Sequence, residues 1–100
     1  MMYGLCQLCN RDEVFLTKHH LIPRSCHTKK RCKEFGSKIN RIANLCRDCH
    51  SKLHATWSHK DLADYYNSIE VLKLQPDIHK FVKWIRKQKT GKRFRSKKVQ

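Results

Sequence analysis

Two matched cysteine pairs constrain this chain more than any other feature of its sequence. Cys6 and Cys9 form one Cys-x-x-Cys pair, and Cys46 and Cys49 form a second pair after a gap of 36 residues. Two residues between cysteines allow both thiolates of a pair to bind one ion, and two pairs supply the tetrahedral four-sulfur set that zinc prefers. With sulfur at all four positions, no coordination site stays open for water. The sequence therefore predicts a structural zinc ion that joins the two ends of a hairpin-sized insertion.

The length of the chain fits this interpretation. One hundred residues have room for a single domain with a modest core, and such a domain often depends on a metal or on disulfides for stability. The sequence has no apolar run of bilayer length and no secretion signal at its start. We therefore expect a cytoplasmic protein whose cysteines are reduced and available to metal. Cys26 and Cys32 match neither pair and are expected to be free thiols.

The charge balance indicates a polyanionic partner. The chain has 23 Lys and Arg against 8 Asp and Glu, a formal net charge of +15. Basic residues that neutralise phosphates release condensed counterions, which favours binding to nucleic acid. A membrane surface is the alternative polyanion, but we find no lipidation motif. We expect a surface loop at residues 24–37 and a disordered basic tail at residues 92–100. The residues expected to contact phosphates lie in these two segments: Lys29, Lys30, Arg31, Lys33, Lys92, Arg93, Arg95, Lys97 and Lys98.

The pattern of apolar residues predicts strands in the first half of the chain. Residues 14–16 and 19–23 are predicted as two short strands, the second stopped by proline. A helix is expected over residues 50–56, with Asp48 as its N-cap.

Helices are predicted for most of the second half. Ser58 resembles the first residue of a capping box, and a short helix is expected at residues 69–74. A further helix is expected from Pro76, because proline suits a first helical turn. Its apolar residues follow the spacing of a single helix face, at Ile78, Phe81, Val82 and Ile85.

Four histidines form a second constellation. His50 and His54 are four residues apart, so on a helix they share a face and can bind one ion together. Adjacent residues of a strand point to opposite faces. If His19 joins the metal, His20 is therefore free for proton transfer, which suits an imidazole near neutral pH. The three histidines without such a pattern are interpreted as ordinary surface or core residues: His27, His59 and His79.

Together these motifs resemble the HNH endonuclease superfamily. They are the Cys-x-x-Cys pair, His-His-Leu-Ile-Pro at residues 19–23, and Leu-Cys-Arg-Asp-Cys-His-Ser-Lys-Leu-His at residues 45–54. The resemblance spans residues 6–54, about half of the chain, and residues 54–85 look like the helical extension of small bacterial and phage HNH proteins.

The resemblance implies an α+β fold. Residues 6–56 would form a zinc-bound, treble-clef-like ββα-metal core, in which two antiparallel strands and a helix surround one catalytic divalent ion. Two to three helices would follow in residues 57–91. The expected organisation is thus a single nuclease domain at residues 1–91, followed by the basic tail.

The resemblance also implies a role for each histidine. His19 and His50 would bind the catalytic metal, His54 would add a further ligand, and His20 would be the general base. The asparagine of the family usually stands five residues before the first cysteine of the second pair, where this chain has Arg41. Asn40 is the favoured substitute, and Asn44 is the alternative.

The implied activity is metal-dependent hydrolysis of DNA phosphodiester bonds, leaving a 3′ hydroxyl and a 5′ phosphate. The cofactors would be structural Zn²⁺ and a catalytic Mg²⁺, Mn²⁺ or other divalent transition metal. A mostly histidine ligand set suits Mn²⁺, Ni²⁺ or Co²⁺ better than the hard Mg²⁺ ion. Two alternatives stay open: a non-enzymatic zinc module that binds nucleic acid, and a nuclease that cuts RNA.

Overall fold

The computed structural model of the protein describes residues 2–88. The predicted tail contacts Lys92, Arg93, Arg95, Lys97 and Lys98 lie outside this range. Within it, the strands are β1 (Tyr3–Gly4), β2 (Val14–His20) and β3 (Ile42–Cys46). The α-helices are α1 (Lys29–Phe35), α2 (Arg47–Thr56), α3 (His59–Asp64), α4 (Ile69–Leu74) and α5 (Pro76–Ile85). Two 3₁₀ helices, Arg24–Cys26 and Gly36–Asn40, flank α1. Across residues 2–88 we find no helix with the length and apolar character needed to cross a membrane.

The three strands form an antiparallel sheet with β2 at its centre. The sequence predicted two short strands here, but the structure has one continuous strand that ends before Pro23. The exposed Lys18 interrupts the apolar pattern, and the ladder continues through it because Lys18 pairs with Asn44 on β3. The same register sets His19 opposite Ala43.

The prediction of a surface loop at residues 24–37 is wrong, because this segment is largely helical. Thr28 caps the start of α1 by accepting a hydrogen bond from the backbone N–H of Arg31, and Gly36 ends it with a φ of 57°. The helix has no buried residue of its own, so no apolar period marks it in the sequence. A second, smaller core lies around it: Ile22, Cys26, Ile39, Ala63 and the partly buried Phe35.

The start of α2 also differs from expectation. Its N-cap is Cys46, whose sulfur accepts a hydrogen bond from the backbone N–H of Cys49 at 3.5 Å. Asp48, the predicted N-cap, instead lies in the first turn and forms an ion pair with Arg11 at 3.2 Å. The position of Arg11 depends on tertiary structure, so the local sequence gave no sign of this pairing.

The three C-terminal helices match the sequence pattern. Ser58 caps α3, Ser68 caps α4, and Pro76 occupies the first turn of α5. On α5, Ile78 and Ile85 are fully buried. Phe81 and Val82 pack against the same core and are partly buried.

The main core lies between the sheet and these helices. Helix α2 contacts both strands of the hairpin on one side and α5 on the other. Large side chains from the turn after β1, from β3 and from helices α2 to α5 are almost completely buried in this core: Leu8, Leu45, Leu53, Leu62, Leu72, Ile78 and Ile85. The central position of α2 means that packing on both sides determines its orientation.

Two leucines on α4 provide a matched test of this packing. Leu72 is fully buried, whereas Leu74 is 78% exposed. We expect Leu72→Ala to lower the free energy of unfolding by about 2–5 kcal/mol, because it leaves a cavity in the core. Leu74→Ala should change it by less than about 0.5 kcal/mol. Urea denaturation followed by circular dichroism measures both, and equal effects of the two substitutions would contradict the described core.

Candidate metal centres and active-site cleft

The two cysteine pairs converge in the structure. Cys6 and Cys9 lie in the turn after β1, Cys46 is the last residue of β3, and Cys49 lies in the first turn of α2. Their four sulfur atoms all lie within 4.8 Å of one another, and each residue is at most 2% exposed. In each pair the backbone N–H of the second cysteine donates to the sulfur of the first at 3.5 Å. Four buried thiols in this arrangement can hold a structural metal ion such as zinc.

A buried arginine lies beside this cysteine cluster. One terminal nitrogen of Arg11 is 3.2 Å from the sulfur of Cys46 and 3.2 Å from a carboxylate oxygen of Asp48. Hydrogen bonds from the Cys49 and Cys6 thiols lower the pKa of Cys46 below its ordinary value. A divalent ion with four thiolates has a net negative charge. The guanidinium of Arg11, which is 8% exposed, offsets part of that charge.

The histidines at residues 19, 50 and 54 form a second cluster. His19 lies on β2 and is 1% exposed, while His50 and His54 lie one turn apart on α2. One ring nitrogen from each of the three lies within 4.8 Å of the other two. The ring centroids are separated by 5.1 Å for His19 and His50, 5.4 Å for His19 and His54, and 4.9 Å for His50 and His54. The structure thus brings together the three residues that the sequence proposed as metal ligands.

His19 is an unusual residue to bury. Neither of its ring nitrogens has a hydrogen-bond partner, and a buried polar group without a partner costs roughly 1–3 kcal/mol. Burial, together with the neighbouring charges of His50 and His54, lowers the pKa of His19 to about 3. Burial also lowers the pKa of His50 to about 4 and that of His54 below its ordinary value. The three imidazoles are therefore neutral at physiological pH, the form in which a ring nitrogen can bind a cation.

Thr17 determines which nitrogen of His50 is available. The Thr17 hydroxyl donates its single hydrogen to the Leu45 carbonyl at 2.9 Å, and the same oxygen lies 2.8 Å from Nδ1 of His50. The hydroxyl must therefore accept from His50, whose proton then sits on Nδ1. This leaves Nε2 with a free lone pair for a metal ion. Thr17 was not predicted from the sequence, although it lies two residues before His19 and therefore on the same face of the strand.

Two clefts open beside the histidine cluster, and His50 and His54 line both of them. The first has a volume of about 290 Å³ and contains the predicted general base His20. Its other lining residues are Lys18, Pro23, Arg24, Ser25 and His59. The second cleft has a volume of about 410 Å³, and its other lining residues are Thr17, Arg47 and Ser51. The histidines are thus accessible from two sides, and each side has at least one cationic residue.

Several predicted site residues lie elsewhere. Asn40 is exposed at the end of a 3₁₀ helix, and the backbone of Asn44 bonds to the side chain of Gln7. Neither asparagine lines the two clefts. Lys29, Lys30 and Lys33 are exposed on α1. The guanidinium of Arg31 instead bonds to Asp64 on α3 and to the Cys26 carbonyl, and this links α1 to its neighbours.

One cleft residue was interpreted from the sequence as an ordinary histidine. His59 is the first residue of α3, its ring centroid lies 5.3 Å from that of His54, and its Nδ1 is 3.0 Å from the Ser25 hydroxyl. No local spacing signal links residues 25, 54 and 59, because only the packing of α3 against the Arg24–Cys26 turn brings them together.

The cysteine cluster can be tested by metal content. We expect purified protein to contain about one zinc per chain, since four sulfur ligands bind one ion. Cys46→Ser should lose most of this zinc and much of the folded structure, because metal binding and folding are coupled. Cys32→Ser is the matched control, since Cys32 is a free, exposed thiol on α1. Elemental analysis by mass spectrometry measures the zinc. Equal zinc content in both variants would contradict the assignment.

The buried histidine predicts a pH dependence of stability. The pKa of His19 is about 3 in the folded chain against an ordinary value of 6.5, so the unfolded chain binds more protons below pH 6.5. The contribution of neutral His19 to the free energy of unfolding is therefore complete above pH 6.5 and is lost as the pH falls below it. Without added divalent ions, we expect the free energy of unfolding to fall by about 2 kcal/mol more in the wild type than in His19→Leu between pH 7.5 and pH 5. Urea titrations at both pH values measure it, and parallel losses in the two proteins would refute it.

Comparison with known proteins identifies a relative along almost the whole chain. The uncharacterized protein YisB of Bacillus subtilis strain 168 is 40% identical over 95 residues, which cover 95% of this chain and 86% of YisB. No protein-family model matches the chain, and no solved structure matches it significantly. At this identity and coverage, the chain belongs to the same protein family as YisB.

Proposed function

We propose that the protein is a metal-dependent endonuclease of the HNH type that hydrolyses phosphodiester bonds in DNA. In this proposal β2, β3 and α2 form the ββα-metal unit. The observation that supports it most is His19, a buried imidazole whose two nitrogens have no hydrogen-bond partner and one of whose nitrogens lies within 4.8 Å of a ring nitrogen of His50 and of His54. Burial of such a group has a cost in stability, and binding of a cation would compensate for it.

The residues of this site fit a divalent transition metal. All three imidazoles are neutral near pH 7, and Thr17 presents Nε2 of His50 as a ligand. Nitrogen donors suit Mn²⁺, Ni²⁺, Co²⁺ or Zn²⁺ better than Mg²⁺. When bound, such an ion would polarise the phosphate and stabilise the departing oxygen.

His20 is the proposed general base. It lines the 290 Å³ cleft together with His50 and His54, and it is half-buried, so water can reach it. An imidazole is suited to accept a proton from a water molecule near neutral pH. The hydroxide formed in this way would attack the phosphorus in line with the departing oxygen.

Cationic residues around the clefts would hold the DNA backbone. Lys18 and Arg24 line one cleft and Arg47 lines the other, so a strand that crosses the histidine cluster meets a positive charge on each side. The exposed lysines of α1 extend this positive surface. Such contacts position phosphates and provide little sequence information.

One observation favours a non-enzymatic alternative. HNH nucleases use an asparagine to orient the base or to contact the metal, and neither Asn40 nor Asn44 lines the clefts. A zinc-containing module that binds nucleic acid would need the cysteine cluster and the basic surface but no general base.

A plasmid-nicking assay tests the proposal. We expect purified protein to nick supercoiled DNA in Mn²⁺, Ni²⁺ or Co²⁺ at least as fast as in Mg²⁺. His20→Ala should reduce the rate by at least about 100-fold, because general-base catalysis contributes 10²–10⁴-fold. His79→Ala is the matched control, since His79 is an exposed histidine on α5. Gel electrophoresis of the nicked product gives the rates.

The same assay decides between the alternatives. If the wild type binds DNA but cuts neither DNA nor RNA with any of these ions, the binding module replaces the nuclease. If it cuts RNA alone, the substrate is RNA and not DNA, and the proposed hydrolysis of phosphodiester bonds is retained.

A further inference from the structure

His59 has no role in the proposed mechanism, yet it lies in the same cleft as the general base. His59 is exposed. The rings of His59 and His54 are in edge-to-face contact, with an interplanar angle of 71°. It does not belong to the set of histidines whose ring nitrogens all lie within 4.8 Å of one another. His59 therefore needs an explanation other than the metal site.

Ser25 holds the ring of His59 in place. The Ser25 hydroxyl bonds to Nδ1 at 3.0 Å, which leaves Nε2 available to the cleft. Ser25 lies in a 3₁₀ turn between the buried residues Pro23 and Cys26, and Cys26 packs in the second core. A short turn held at both ends by buried residues is a firm support for a hydrogen bond to a side chain.

The surroundings of His59 suit an anion. Lys18 and Arg24 line the same cleft, and its lining residues include no carboxylate. A phosphate oxygen in this cleft would favour the tautomer of His59 with its hydrogen on Nε2. Ser25 can then donate its own hydrogen to Nδ1, so the serine, the histidine and the phosphate would form a continuous chain of hydrogen bonds.

We propose that His59 and Ser25, together with Lys18 and Arg24, form a phosphate-binding subsite for a backbone phosphate of DNA next to the one that is cut. Nε2 of His59 donates a hydrogen bond to a phosphate oxygen, and Ser25 orients the ring. The subsite deepens the proposed function and rests on it for the position of the cut. Its affinity for backbone phosphate can be measured without cleavage.

The test measures DNA affinity and metal affinity separately. In a His20→Ala background without added divalent ions, we expect His59→Ala to weaken binding of a short fluorescein-labelled DNA duplex by about 5-fold, as expected for one hydrogen bond. Ser25→Ala should weaken it in the same direction by a smaller factor, and His59→Gln, which retains an N–H donor, should restore part of the affinity. His79→Ala, the exposed histidine on α5, should leave it unchanged. Fluorescence anisotropy gives the affinities, and calorimetry with Mn²⁺ alone should give the same metal affinity with and without His59.

Three results would overturn the proposed phosphate-binding subsite. A large loss of Mn²⁺ affinity in His59→Ala would make His59 a metal ligand. Unchanged DNA affinity in His59→Ala, or no DNA binding by the parent protein, would remove the phosphate contact. Failure of the nuclease proposal is a different result: the wild type would not nick plasmid, while His59→Ala would still weaken DNA binding.

Discussion

The position of Cys46 determines most of the structure around the candidate site. This residue ends β3, caps the first turn of α2, and contributes one of the four clustered sulfur atoms. Because β3 pairs with β2, a bond from Cys46 to a metal shared with Cys6 and Cys9 would hold the hairpin, the N-terminal turn and α2 at one point. The direction in which α2 leaves this point sets where His50 and His54 lie. The histidine cluster thus depends on the cysteine cluster, although the two share no residue.

In contrast to the cysteine cluster, the histidine cluster reduces the stability of the fold. The core would be more stable with an apolar residue in place of His19, since its buried ring nitrogens have no hydrogen-bond partners in the described structure. Sites of this kind, in which local stability is reduced, are typical of functional residues. The hydrogen bond from His50 to Thr17 adds to this interpretation, because it orients one imidazole without using the nitrogen that would bind a cation.

Local spacing in the sequence was enough to predict much of this arrangement. The Cys-x-x-Cys pairs and the four-residue step from His50 to His54 are short-range patterns, so spacing predicted these groupings, whereas His19 was expected in the histidine cluster only from the family resemblance. Helices with a serine cap or an apolar face were predicted for the same reason. Contacts that depend on register or on packing between distant elements were missed, and they join Thr17 to His50, Arg11 to Asp48, and Ser25 to His59. Helix α1 was missed because none of its residues is fully buried, and only Phe35 at its end packs against the second core, so no apolar period marks it.

The two clusters differ in how accessible they are to solvent and to ligands. In the cysteine cluster all four ligand residues are buried and an arginine offsets their charge, so a metal bound there would have no open position for water. In the histidine cluster only His19 is buried, and His50 and His54 each line two clefts. A substrate could therefore approach this second cluster from either side without disturbing the first. Since α2 begins at the cysteine cluster and carries His50 and His54 in its next two turns, a firmly held structural metal would also give the histidine cluster a rigid support.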